Sequence, residues 1–156
     1  MSNVRDTAKR QYARLLDKAA QQLAGLQPPR EGWISTMRKA LGMSAPALAR
    51  RMGVTRPAIY QAERKEREGG VTIQHMEKLA KALGGRFVYA IVPGEGRIED
   101  VLEAQARKKA KAMVSRAGTH MALEKQALSP DRLEDEIESL ARALLRNPPP
   151  GFWEEE

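Results

Sequence analysis

Between Ser44 and Arg64 the sequence SAPALARRMGVTRPAIYQAER sets two short helical segments on either side of a Gly-Val turn. Few chains are so restricted over so short a span. Ser44 is a hydroxyl N-cap with Pro46 in the first turn behind it, and Thr55 repeats the arrangement with Pro57; proline is tolerated there because the first N–H groups of a helix have no internal partner. Gly53 ends the first segment, since glycine takes the left-handed conformation without a Cβ penalty. Ala49 is small where the two helices would cross, and Val54 can fill the space under the turn. Helical spacing then turns Leu48, Met52, Ile59 and Ala62 inward, leaving Arg56, Pro57, Ala58, Tyr60 and Gln61 on the outer side of the second segment.

The flanks extend this unit. Apolar residues recur at helical spacing from Val4 to Leu26 (Tyr12, Leu15, Leu16, Ala19, Ala20, Leu23), and Gln27-Pro28-Pro29 ends that helix. A helix over Trp33 to Leu41 stops at Gly42. The helix opened at Thr55 should run from Arg56 to about Lys65, with Glu66 to Gly70 as a polar loop. Thr72 caps a further helix with the stripe Ile73, Met76, Leu79, Ala80 and Leu83, closed by Gly84-Gly85. The period then changes. Phe87-Val88-Tyr89-Ala90-Ile91-Val92, bounded by Gly85 and Pro93-Gly94, reads as a short strand over 86–92. No second strand is evident, so it can pair with its counterpart in another subunit or lie against the helices. Ile98 to Ser115 is a charged helix with Val101, Leu102, Ala106, Ala110 and Met113 as its apolar positions. Gly118-Thr119 is a breakpoint before a short helix over 121–128. Ser129-Pro130 opens a last amphipathic helix, with the stripe Leu133, Ile137, Leu140, Ala141, Leu144 and Leu145, which ends before Pro148.

Composition agrees with packed helices. The chain of 156 residues is 42% hydrophobic and has only two Trp, three Tyr and two Phe, so its core must be aliphatic. Without cysteine there is no disulfide framework, thiolate metal site or thiol nucleophile. The charged N-terminal stretch has no apolar run like that of a signal peptide, no segment is a membrane span, and a cytoplasmic protein is expected. The net charge of +7 is unevenly spread: residues 1–30 carry +4, 31–96 +5, 97–128 +3 and 129–156 −5. A basic body with an acidic tail is either a solvated surface or a fit to a polyanion, whose condensed counterions are released by each phosphate contact.

A short outward-facing helix with basic residues fits the major groove of duplex DNA, with its N-terminal residues reaching base edges. Arg56 can bond guanine O6 and N7 together or touch phosphate; Gln61 can pair with adenine or contact the backbone; Tyr60 can stack on a thymine methyl or pack on its own helix. Glu63 reads as one half of a structural ion pair.

Gly53-Val54, the cap at Thr55, Ile59 and the Glu63-Arg64 pair strongly resemble the Cro/CI-type (XRE) helix-turn-helix family. The resemblance implies a five-helix DNA-binding core. It places Arg56, Pro57, Ala58 and Gln61 at base-facing positions, Tyr60 at the groove edge, and Arg64 and Lys65 near the backbone. Where that family often has a glutamine reaching phosphate, this chain has Ala45, so phosphate anchoring would fall to Ser44, Arg50, Arg38 or Lys39.

The long helix before this core, the strand after it and the segment Met121-Ala122-Leu123-Glu124-Lys125-Gln126 are similar to the family called mobile mystery protein A. That similarity implies a regulator or antitoxin-like protein paired with a Fic-domain partner. Some Fic inhibitors carry a Ser/Thr-x-x-x-Glu-Gly/Asn helix whose glutamate obstructs nucleotide binding. Here Glu31-Gly32, Glu68-Gly69 and Glu95-Gly96 are preceded four residues earlier by Gln27, Arg64 and Ile91, so neutralisation of such a partner would need another mechanism.

Elsewhere the default readings are structural. His75 and His120 are the only histidines and are far apart, which argues against a metal. Lys108, Lys109 and Lys111 read as a solvated helix face or as extra backbone contacts. Phe152-Trp153 follows a triple proline in an acidic tail and can dock on a partner or on the chain's own core. No catalytic triad, phosphate-cradling loop or paired-carboxylate motif is present, so neither an enzyme nor a cofactor is expected. The expected protein is all-α, with an N-terminal helical extension (1–30), a helix-turn-helix domain ending in the short strand (31–96) and C-terminal helices (97–156). It would be a homodimeric transcriptional regulator binding double-stranded DNA, with no membrane partner. An alternative is an antitoxin whose helices from Ile98 onward neutralise a partner.

Overall fold

The structure, a computed structural model, describes residues 3–123 and 129–155. In order, the helices are α1 (Val4–Gln22), α2 (Trp33–Ala40), α3 (Ala45–Met52), α4 (Arg56–Glu68), α5 (Ile73–Ala82), α6 (Ile98–Leu123) and α7 (Pro130–Arg146). The chain divides into two compact units, residues 24–90, and residues 1–23 with 91–156.

The first unit contains four helices, α2 to α5, rather than the expected five. Three hydroxyl caps form as anticipated: Ser44 Oγ accepts from the Ala47 N–H (3.2 Å), Thr55 Oγ1 from Ala58 (3.3 Å) and Thr72 Oγ1 from His75 (3.1 Å). Ile34, Leu48, Ile59 and Leu79, one from each helix, are fully buried together. Each such side chain contributes about 1.5–3 kcal/mol by leaving water. Ala45, Ala49, Ala62, Met76 and Leu83 complete the core. Gly53 is left-handed (φ 69°), and the Val54 N–H reaches the Ala49 carbonyl at 2.9 Å, closing α3. Val54 itself, expected to fill the space below, stays 41% exposed.

Helix α2 has no side-chain cap from its own N-terminus, because Gly32 stands there with φ 89°. Glu66 of α4 supplies the cap instead: its two carboxylate oxygens accept from the Trp33 N–H (2.6 Å) and the Ile34 N–H (2.9 Å). This contact explains why α4 passes Lys65 and continues to Glu68, where a polar loop was expected. At the far end of α5, the Arg51 Nε donates to the Ala82 carbonyl at 2.8 Å.

The second unit centres on α6 and α7, which pack against each other, with α1 touching α6. Its core is Ala106, Ala110, Ile137, Leu144 and Phe152, with Leu102, Val114, Leu140, Ala141 and Leu145 partly buried around it. The two alanines on α6 admit the larger residues of α7. Ser129 caps α7 through the Arg132 N–H (3.4 Å). The tail folds back so that Phe152 is buried and its carbonyl accepts from Gln105 Nε2 at 2.7 Å. Asp17 of α1 takes the N-terminus of α6, accepting from the Ile98 N–H at 2.8 Å.

Several expectations are corrected. Helix α1 ends at Gln22, and Tyr12 and Leu15, read as part of an inward stripe, are exposed. Helix α6 runs unbroken through Gly118-Thr119 to Leu123; residues 124–128 of the short helix expected over 121–128, and with them part of the 121–126 segment, lie outside the described residues. Residues 86–92 carry no strand, because a strand exists only through its ladder and no described residue offers one.

Candidate nucleic-acid interface

The outer face of α4 is set by what its inner face buries. Ile59 and Ala62 are in the core, and Glu63 is 5% exposed. Arg56, Pro57, Tyr60, Gln61, Arg64 and Lys65 therefore stand exposed, with Ala58 half-buried beneath them. The Thr55 cap and Pro57 stiffen the first turn, so the residues that would lead into a groove are held on a rigid start. Arg56, Pro57, Tyr60, Gln61, Arg64 and Arg67 line one open concavity along this helix. The Arg56 guanidinium carbon lies 5.6 Å from the centre of the Tyr60 ring, so Tyr60 packs on its own helix and carries the arginine on its face.

Behind this face, Glu63 accepts from Arg38 Nε at 2.8 Å, and Arg38 also donates to the Met43 carbonyl at 3.1 Å. The ion pair expected of Glu63 thus has Arg38 as its partner. Both side chains are nearly buried. Arg38, named as a phosphate anchor, is turned inward in the free chain. Lys39, named for the same role, is exposed and pairs with Glu31 at 2.6 Å. That contact holds the Glu31 carboxyl below the usual glutamate range, chiefly through the hydrogen bond from Lys39 and then through its charge. Arg50 and Ser44 are exposed on α3 and its cap, while Ala45 is buried and contributes packing.

Sequence reasoning missed Arg67. It follows Arg56, Tyr60 and Glu63 at spacings of four, three and four, and would have been found had α4 been carried one turn further. It also missed Glu66, whose role depends on an N-terminus thirty-three residues away in the sequence.

Two helices joined by a tight glycine turn, the second exposing a basic face at its start, define a helix-turn-helix DNA reader. Residues 34–89 match a helix-turn-helix family model of the Cro/CI (XRE) type, which supports a DNA-binding regulator with double-stranded DNA as its ligand. No curated protein and no solved structure matches the chain. Among the described residues no helix is long and apolar enough to cross a membrane.

Proposed function

We propose that the chain is a sequence-specific repressor that reads the major groove with α4, acts as a homodimer in the cytoplasm, and controls its own toxin–antitoxin-like operon. The observation that carries the reading is the division of α4: its inner face is locked by Ile59, Ala62 and Glu63, and its outer face offers Arg56, Gln61 and Arg64 to a ligand. Arg56 and Gln61 are the base-reading residues; Ser44, Arg50, Lys39, Arg64 and Lys65 hold phosphates. One recognition helix makes too little contact for tight specific binding, whereas paired half-sites about one helical turn apart supply enough. The operon assignment rests on the whole-chain likeness to mobile mystery protein A. The test is titration of the purified chain with duplex from upstream of its own gene over a range of salt. A palindromic footprint and an affinity falling steeply with salt support the reading; no shift of any duplex at low salt ends it.

A second reading has one observation in its favour. Helices α6 and α7 have a core of their own, independent of the residues that would read DNA. That suits a module for binding a second protein, a Fic-domain partner by the same likeness. Charge reversal at the exposed Asp135 and Glu138 of α7 should then abolish co-purification with the neighbouring gene product while leaving DNA binding unchanged.

A further inference from the structure

The run Phe87-Val88-Tyr89-Ala90-Ile91-Val92 holds six β-prone residues and no charge. No backbone hydrogen bond joins it to another described residue. Phe87 is packed against the core of α2 to α5, and the Tyr89 ring stacks on it with centroids 5.7 Å apart. Rings at i and i+2 on one side follow the alternation of a strand. Val88 (66%), Tyr89 (65%) and Ile91 (88%) are nonetheless exposed. The segment is fixed at one end, shaped like a strand and lacking a partner. Phe87 also lines an apolar groove with Trp33, Met37, Met76 and Leu83, so half-exposed Trp33 and Met37 extend the same surface.

We infer that this segment pairs antiparallel with the same segment of a second copy across a two-fold axis, forming a two-stranded ribbon. The inference depends on the paired-half-site reading for its purpose, though not for its evidence. An uncharged strand is a template for another uncharged strand, and a second copy is self-complementary by symmetry. Charge selects the direction. Arg86 precedes the run and Glu95 follows it. Antiparallel pairing brings each Arg86 toward the partner's Glu95, whereas parallel pairing would set like charges side by side, which is destabilising.

The absence of cysteine from the chain makes the test clean. Val88→Cys, Tyr89→Cys, Ala90→Cys and Ile91→Cys, each alone in the full chain, would be oxidised without DNA, with Lys18→Cys as control. At least one of the four should give a disulfide-linked dimer in high yield, because residues near a two-fold axis face themselves, and the control should not. Sedimentation should show a dimer whose dissociation constant rises about tenfold or more in Tyr89→Lys/Ile91→Lys, with helical content unchanged because both side chains are exposed. A chain monomeric at about 100 μM, a concentration covering weak self-association, would overturn the ribbon. So would a dimer indifferent to the double substitution, or the absence of cross-links at all four positions. The ribbon can therefore fail while DNA binding survives, and the reverse also holds.

Discussion

Arg38 of α2 grips Glu63 of α4 with Nε 2.8 Å from Oε1, the two side chains being 11% and 6% exposed. The pair fixes the rotation of the candidate reading helix about its own axis, since Glu63 is one turn beyond Tyr60 and Ile59. Glu63→Ala leaves a desolvated guanidinium behind. It should lower unfolding free energy by about 3 kcal/mol in urea titrations. The double variant Arg38→Met/Glu63→Leu should recover most of that loss, because removing both charges also removes the desolvation penalty.

Glu66 and Gly32 form a second matched pair. Glu66→Ala should cost about 1 kcal/mol, the usual worth of a helix cap. Gly32→Ala should cost more. It forces an L residue to φ 89°, and its Cβ would lie 2.9 Å from the Glu66 carboxylate carbon. Thermal unfolding of the two single variants and the double should show strong non-additivity, because both act on one contact.

Base reading and phosphate holding are separable by their specificity. Arg56→Ala should relax preference at one position of each half-site by about 1–3 kcal/mol. Arg64→Ala and Lys65→Ala should weaken all sequences alike, each lowering the salt slope by about one. Competition binding with single-base operator variants distinguishes the patterns; an unchanged preference in Arg56→Ala would remove that residue from base readout.

The Glu31–Lys39 pair should titrate visibly. Glu31 has a depressed carboxyl in the folded chain, so its contribution is present above the unfolded value and is lost as pH falls through the folded one. NMR titration should place its midpoint below the usual glutamate range, and Lys39→Ala should return it there. Salt should shrink the shift, since both groups are solvent-exposed.

Phe152 is the tail's anchor. Phe152→Ala should remove about 3–5 kcal/mol from the unit built on α6 and α7, read as faster amide exchange along those two helices. Trp153→Ala, altering an exposed ring that meets Phe152 only at its edge, should do far less.

The caps at Ser44, Thr55, Thr72 and Ser129 and the glycine turn at Gly53 could be read from neighbouring residues, because each is satisfied within one helical turn. The inward set Leu48, Ile59, Ala62 and Leu79 followed from periodicity for the same reason. Periodicity misled at Tyr12 and Leu15, where a helix offers more apolar surface than its neighbours cover. Gly118-Thr119 looked like a break, yet one glycine costs a helix only about 1 kcal/mol and α6 runs past it. The Phe87 to Val92 run has strand residues and no strand, since residue type cannot supply the opposing backbone.

The sequence alone dictated where helices begin, which of their sides are oily and that the second motif helix shows arginine and glutamine outward, all of which depend on residues a few positions apart. Tertiary structure decided that Arg38 faces Glu63 rather than solvent, that Glu66 crowns α2, that Arg67 joins the reading face and that Phe152 closes the last core. Each of those depends on groups brought together from distant parts of the chain, and the charge of a side chain does not say which of several available partners folding will place beside it.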